Sequence, residues 1–148
     1  MLMKRVFCSF LTVSYLAFHI TAVSSQSLPK WGLVYGSDPE FEDARREILR
    51  FNDSDQSKIP PSFRPYKSKA ALFLRRGSFR SVLLFYTEQD AQKALPTIEK
   101  TLTEIDKRSM NAPLTWRRGS FVVNLNAWCP KWNSQSTKKD GIIQYSCK

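Results

Sequence analysis

The pentapeptide Arg-Arg-Gly-Ser-Phe occurs twice, at Arg75–Phe79 and again at Arg117–Phe121. Guanidinium groups beside aromatic rings suit a ligand with flat faces and negative charge. The fork of an arginine bonds a carboxylate through two parallel contacts, and a ring offers its face to a sugar or a base. The chain's single histidine, His19, falls in an N-terminal stretch expected to be removed. The remainder therefore has no Ser–His or Cys–His nucleophile pair and no ordinary zinc site. A paired-carboxylate glycosidase needs only two acids about 5 to 9.5 Å apart. Here the acids fall on amphipathic segments, where charge pairing along a helix is their ordinary use. The expectation is a protein that binds and does not catalyse, with neither cofactor nor metal.

Residues 1–25 have the three-part plan of a secretory signal peptide: Lys4 and Arg5, an apolar run from Val6 to Ile20, then small residues through Ser25. Cleavage is expected after Ser24 or Ser25, with an uncleaved membrane anchor as the alternative, although the run is short for a span. Removal leaves 21 Lys and Arg against 13 Asp and Glu, a net charge of about +8. It also takes away Cys8, leaving Cys129 and Cys147. In an exported, periplasmic or secreted protein such a pair is expected to close a disulfide.

The charge is segregated. Of the 13 acids, seven lie between Asp38 and Asp55 and five between Glu88 and Asp106. Residues 56–87 carry seven basic residues and no acid, and residues 107–148 carry eight against Asp140 alone. Twelve of the acids fall in the segments that read as helices or at their ends, so the helix layer is near neutral or acidic, and the strands and their loops are basic. Such a distribution draws an anionic partner to the strand side and speeds its encounter.

Those elements are legible from periodicity. The 148 residues, 42% of them hydrophobic, are enough for one core. Trp31–Gly36 reads as a strand, and Phe41, Ala44, Ile48 and Phe51 mark one face of a helix, with Asp38 and Pro39 as its cap and first turn. Asp53–Ser68, with three prolines, reads as an irregular connection. Ala70–Leu74 and Phe79–Tyr86 read as strands, and the intervening Arg75–Ser78 contains the Gly-X pair expected of a tight hairpin turn. A second helix, capped by Thr87, carries Ala91, Ala94, Leu95, Ile98, Leu102 and Ile105. Phe121–Leu125 is the last strand, with an extra short one possible at Leu114–Trp116. The two pentapeptides follow similar passages, as though Trp31–Ser78 and Phe79–Ser120 were two copies of one unit. Two such units predict an α+β split βαβ fold, ferredoxin-like: a four-stranded antiparallel sheet with both helices on one face and the other face open.

In this order of elements the sequence resembles the SPOR (sporulation-related repeat) domain of bacterial envelope proteins. One copy of the family's motif matches Trp31–Ser37 with Ala44 in the following helix. The other matches Phe79–Tyr86 with Ala91, Phe79-Arg80 standing at the family's common Tyr-Arg pair. Val34 replaces a frequent Gln, and Leu84 a frequent Gly. The resemblance covers residues 31–125, within a domain drawn over 26–128, and leaves 129–148 as a disulfide-closed extension.

The resemblance implies binding to the glycan strands of peptidoglycan, above all strands stripped of peptides. Each muramic residue carries a lactyl carboxylate, which arginine can pair, between ring faces on which aromatics can stack. The carboxylate partners are expected to be Arg75, Arg80, Arg117 and Arg118, and the stacking residues Tyr35, Tyr86 and Trp128. Other envelope proteins are a further partner class, and the membrane one only if the N-terminal segment stays. An RNA-binding module shares this plan, but export argues against it and no segment has the aromatic-rich RNP pattern, so no nucleic acid is expected. A secreted protein–protein adaptor or inhibitor that docks its basic face on an acidic partner is the alternative function.

Overall fold

The structure, a computed structural model, describes residues 27–108 and 119–147. Strand β1 (Trp31–Asp38) leads into helix α1 (Phe41–Asn52), which buries Phe41, Ala44, Ile48 and Phe51. The expected cap at Asp38 is displaced: β1 runs on through Asp38, and the helix is entered from Glu40 in extended backbone, with no side-chain cap. Glu42 and Asp43 still face the positive end of the helix dipole. The proline-rich connection forms 3-10 turns at Gln56–Lys58 and Pro61–Tyr66. It buries Ile59 and Phe63, the latter stacked on Phe51 at 4.2 Å between centroids.

Strands β2 (Ala70–Arg75) and β3 (Ser78–Phe85) meet at a two-residue turn in which both Arg76 (φ 52°) and Gly77 (φ 74°) are left-handed. That is the geometry of the primed turns that match strand twist. Helix α2 (Glu88–Arg108) follows. The Thr87 hydroxyl accepts the Asp90 amide proton at 3.1 Å and caps it, and Ala91, Ala94, Ile98 and Leu102 form its buried stripe. After β4 (Phe121–Asn124) comes the single turn α3 (Leu125–Trp128), held by the Asn124 side chain, which accepts from the amides of Asn126 and Ala127. A 3-10 turn at Trp132–Ser134 and the hairpin β5 (Ser136–Lys139) and β6 (Ile142–Ser146) complete the chain. The possible strand at Leu114–Trp116 lies outside the described residues.

The fold is α+β with a mixed six-stranded sheet in the order β4-β1-β3-β2-β6-β5. Its first four strands pair antiparallel, but β6 joins β2 in parallel. The expected four-stranded antiparallel sheet is therefore too small by two strands. The segment set apart as an extension builds both of them on the edge of β2.

The sheet has two buried faces. Leu33, Tyr35, Leu72, Leu83 and Phe85 pack on the side of the helical stripes. On the opposite side Val34, Ala71, Phe73 and Val82 pack beneath Leu125, Cys129 and Trp132. The expectation of an open second face is overturned. Bare, that row would expose a contiguous apolar patch, and burying it at about 25 cal/mol per Å² favours closure. Gly32 permits the close approach: a Cβ there would lie 2.7 Å from both Leu125 Cδ2 and Val82 Cγ1. Cys129 and Cys147 are bonded, with their Cα atoms 4.9 Å apart, and so fasten the tail across this face. Among the described residues no helix is long and apolar enough to cross a membrane.

Candidate functional site

Alternation along β2 and β3 brings the arginines together. Phe73 points to the second face, so Arg75 two residues on does too. Arg80 lies directly across from Phe73, on the same face as Val82. The Arg80 guanidinium donates to the Ser37 hydroxyl of the neighbouring β1. Arg75 Nε donates to the Trp128 carbonyl oxygen at 3.0 Å, and its guanidinium carbon sits 5.1 Å from the Trp128 ring centroid. Trp128 in turn meets Phe73 edge to face at 5.6 Å. Arg75, Arg80 and Trp128 thus share one rim of the covered face, at the end of the β2–β3 hairpin.

Among the described residues the rim is cationic, and no ion pair reaches it. The ion pairs among the described residues join Arg45 to Glu42, Arg46 to Asp43, Arg50 to Glu47 and Lys58 to Asp55. All lie on α1 or just after it, and none engages Arg75, Arg76 or Arg80. Partial desolvation, and then the like charges of Arg76 and Arg80, hold the Arg75 guanidinium below its ordinary pKa. It stays protonated at any physiological pH, since an arginine begins far above that range.

Other expected site residues fall elsewhere. Tyr35 shares the strand face of Leu33, is 4% exposed, and donates its hydroxyl to the Glu47 carbonyl oxygen at 3.1 Å. Its ring lies 4.9 Å from Phe51. A residue so enclosed has no free ring face for a ligand, so the stacking role expected of it is corrected to a core role. Burial, and next the charge of Glu47, push its phenol well above the usual value. Tyr86 is 54% exposed but follows the far end of β3. Six residues from Arg80 along extended chain is about 20 Å, so it stands apart from the rim. Arg117 and Arg118 lie outside the described residues.

Two residues of this face escaped the sequence reading. Ser37, which accepts from Arg80, could have been found only from the pairing of β1 with β3. Phe121 is 45% exposed and lies opposite Val34. Because Val122 packs toward the helices, Phe121 must share the second face with Val123. Its aromatic type, as the last residue of the second pentapeptide, was the available signal. Among the described residues no cluster of His, Cys, Asp and Glu could hold a metal ion. No protein-family model, curated protein or solved structure matches the chain.

Proposed function

We propose that the protein is an exported, non-catalytic module that binds the glycan strands of peptidoglycan. The site is the rim formed by Arg75, Arg76, Arg80 and Trp128, in place of an open sheet face. The observation that carries this reading is the stacked, hydrogen-bonded Arg75–Trp128 pair, with Arg80 on the same face and no carboxylate salt-bridged to either arginine among the described residues. A muramic carboxylate would supply the missing negative charge, and the exposed part of the indole would lie under the neighbouring sugar ring.

The Arg76 backbone supports the same reading. The first central position of a primed hairpin turn favours Asn, Asp or Gly, and a residue with a long side chain there carries a conformational cost. Arg76 occupies it at φ 52° with its side chain exposed. A charge kept where the backbone disfavours its carrier fits a site for anions. The bonded Cys129–Cys147 pair accords with export to an oxidising compartment, in which the N-terminal segment acts as the leader.

Co-sedimentation with insoluble, purified peptidoglycan tests this reading. Retention should increase once an amidase has removed the peptides and fall with rising salt. Equal loss of protein from the supernatant with and without wall material would refute it. Capture by an acidic protein in place of the wall would favour the adaptor role.

A further inference from the structure

The Arg75–Trp128 pair is closed into a ring of contacts that passes through the disulfide. Trp128 precedes Cys129, which is bonded to Cys147. The Cys147 amide donates to the Leu74 carbonyl oxygen at 2.9 Å. Leu74 precedes Arg75, whose Nε returns to the Trp128 carbonyl oxygen. Apart from the bridge, the tail is held by the packing of Leu125, Trp132 and Tyr145 on the sheet, while its backbone pairing is short: α3 is four residues long, β6 meets β2 over three residue pairs, and β5 is exposed throughout.

We propose that the Cys129–Cys147 disulfide is the positioning element of this anionic-ligand rim, and that a dithiol reductant switches the rim off by releasing Trp128 from Arg75. The proposal rests on the rim being the ligand site described above. Cys129 is wholly buried, whereas Cys147 as a residue is only partly so, and the attack is therefore placed on Cys147 Sγ. Attack there forms a mixed disulfide and expels the Cys129 sulfur as a thiolate, which takes up a proton. The reductant's second thiol then displaces the Cys147 sulfur, which is protonated in turn. Two electrons and two protons pass to the protein, and the dithiol ends as a cyclic disulfide.

With the bridge open, the turn bearing Trp128 is held only by packing and a few hydrogen bonds, and it joins the segments that open locally. Arg75 loses the carbonyl that fixes its Nε and the ring that fixes its plane. A guanidinium free to sample rotamers gives up the preorganisation that a bidentate contact needs.

The test compares the oxidised protein, the same protein reduced with dithiothreitol, and the variant Cys147→Ser, all checked by far-ultraviolet circular dichroism. Each is titrated with amidase-stripped peptidoglycan, and each is followed by hydrogen exchange without glycan. The expected result is a dissociation constant raised about tenfold on reduction, at unchanged binding capacity, as for loss of one charge-assisted contact. Exchange at residues 125–132 should rise while β1 and β3 stay protected. A merely structural bridge would lower capacity, not affinity. Equal or tighter binding after reduction overturns the proposal, the latter outcome marking the tail as a cover over an aromatic face. Should the oxidised protein ignore stripped glycan, the function reading fails, and the exchange measurement alone decides whether the bridge holds Trp128; unaltered exchange at residues 125–132 would overturn that too.

Discussion

Arg75 and Trp128, 53 residues apart in the chain, are joined twice: by a hydrogen bond from Nε to the carbonyl oxygen at 3.0 Å and by the guanidinium lying over the indole at 5.1 Å. The side chain is fixed in direction and plane by a segment that itself covers the sheet. Rigidity and charge are therefore supplied by different parts of the chain, the hairpin giving the cation and the tail giving the platform.

The hairpin turn should show a trade between stability and binding. Arg76→Asn puts the preferred residue into a left-handed position and should stabilise the protein by about 0.5 to 1 kcal/mol. The same change removes a rim charge and should weaken binding to stripped glycan several-fold. Thermal denaturation and co-sedimentation on the same preparation measure the two effects. A variant gaining stability with unaltered retention would take Arg76 out of the site.

Gly32 should be intolerant of even one methyl group. Its Cβ would fall 2.7 Å from both Leu125 and Val82, between β1 and the tail. Gly32→Ala should cost about 1 to 3 kcal/mol through overpacking. Urea denaturation checks this, and a change below about 0.5 kcal/mol would mean that the tail is free to retreat from the sheet.

Alkaline pH should destabilise the fold through Tyr35. Its phenol is held above the ordinary value of 10.0, chiefly by burial. Both states are protonated below pH 10, so the stability is fully present there. As pH rises further the unfolded chain loses this proton first, and stability declines toward the folded pKa. Absorbance at about 295 nm, the tyrosinate band, should show one tyrosine that ionises only together with loss of the near-ultraviolet circular dichroism signal. Removing the hydroxyl in Tyr35→Phe should abolish that late step.

Much of this architecture could be read from residue patterns, and the exceptions have physical causes. Apolar spacing marked both helices because Phe41, Ala44, Ile48 and Phe51, and likewise Ala91, Ala94, Ile98 and Leu102, face one core. The hairpin turn was legible through Gly77, but the Gly-X pattern puts the glycine first, whereas Arg76 and Gly77 hold the two left-handed central positions. The tail was not legible. Strand β5 is Ser-Thr-Lys-Lys, exposed throughout, and is a strand only because β6 hydrogen-bonds to it. Tyr35 illustrates a second limit. Alternation says that Leu33 and Tyr35 share a face opposite Val34, but tertiary packing decides which face turns to the helices. For the site, strand alternation could place Arg75 and Arg80 on a common face. Only the covering segment could add Trp128 to them.

The most direct test of the rim is the affinity of Arg80→Ala for amidase-stripped peptidoglycan, measured beside wild type and the helix-layer control Lys93→Ala. Arg80 makes its side-chain hydrogen bond to an exchangeable partner, the Ser37 hydroxyl, so its truncation should leave the fold intact. The account predicts about a tenfold loss of affinity for Arg80→Ala, the effect of one charge-assisted contact, and none for Lys93→Ala. Equal affinity for all three proteins would contradict it.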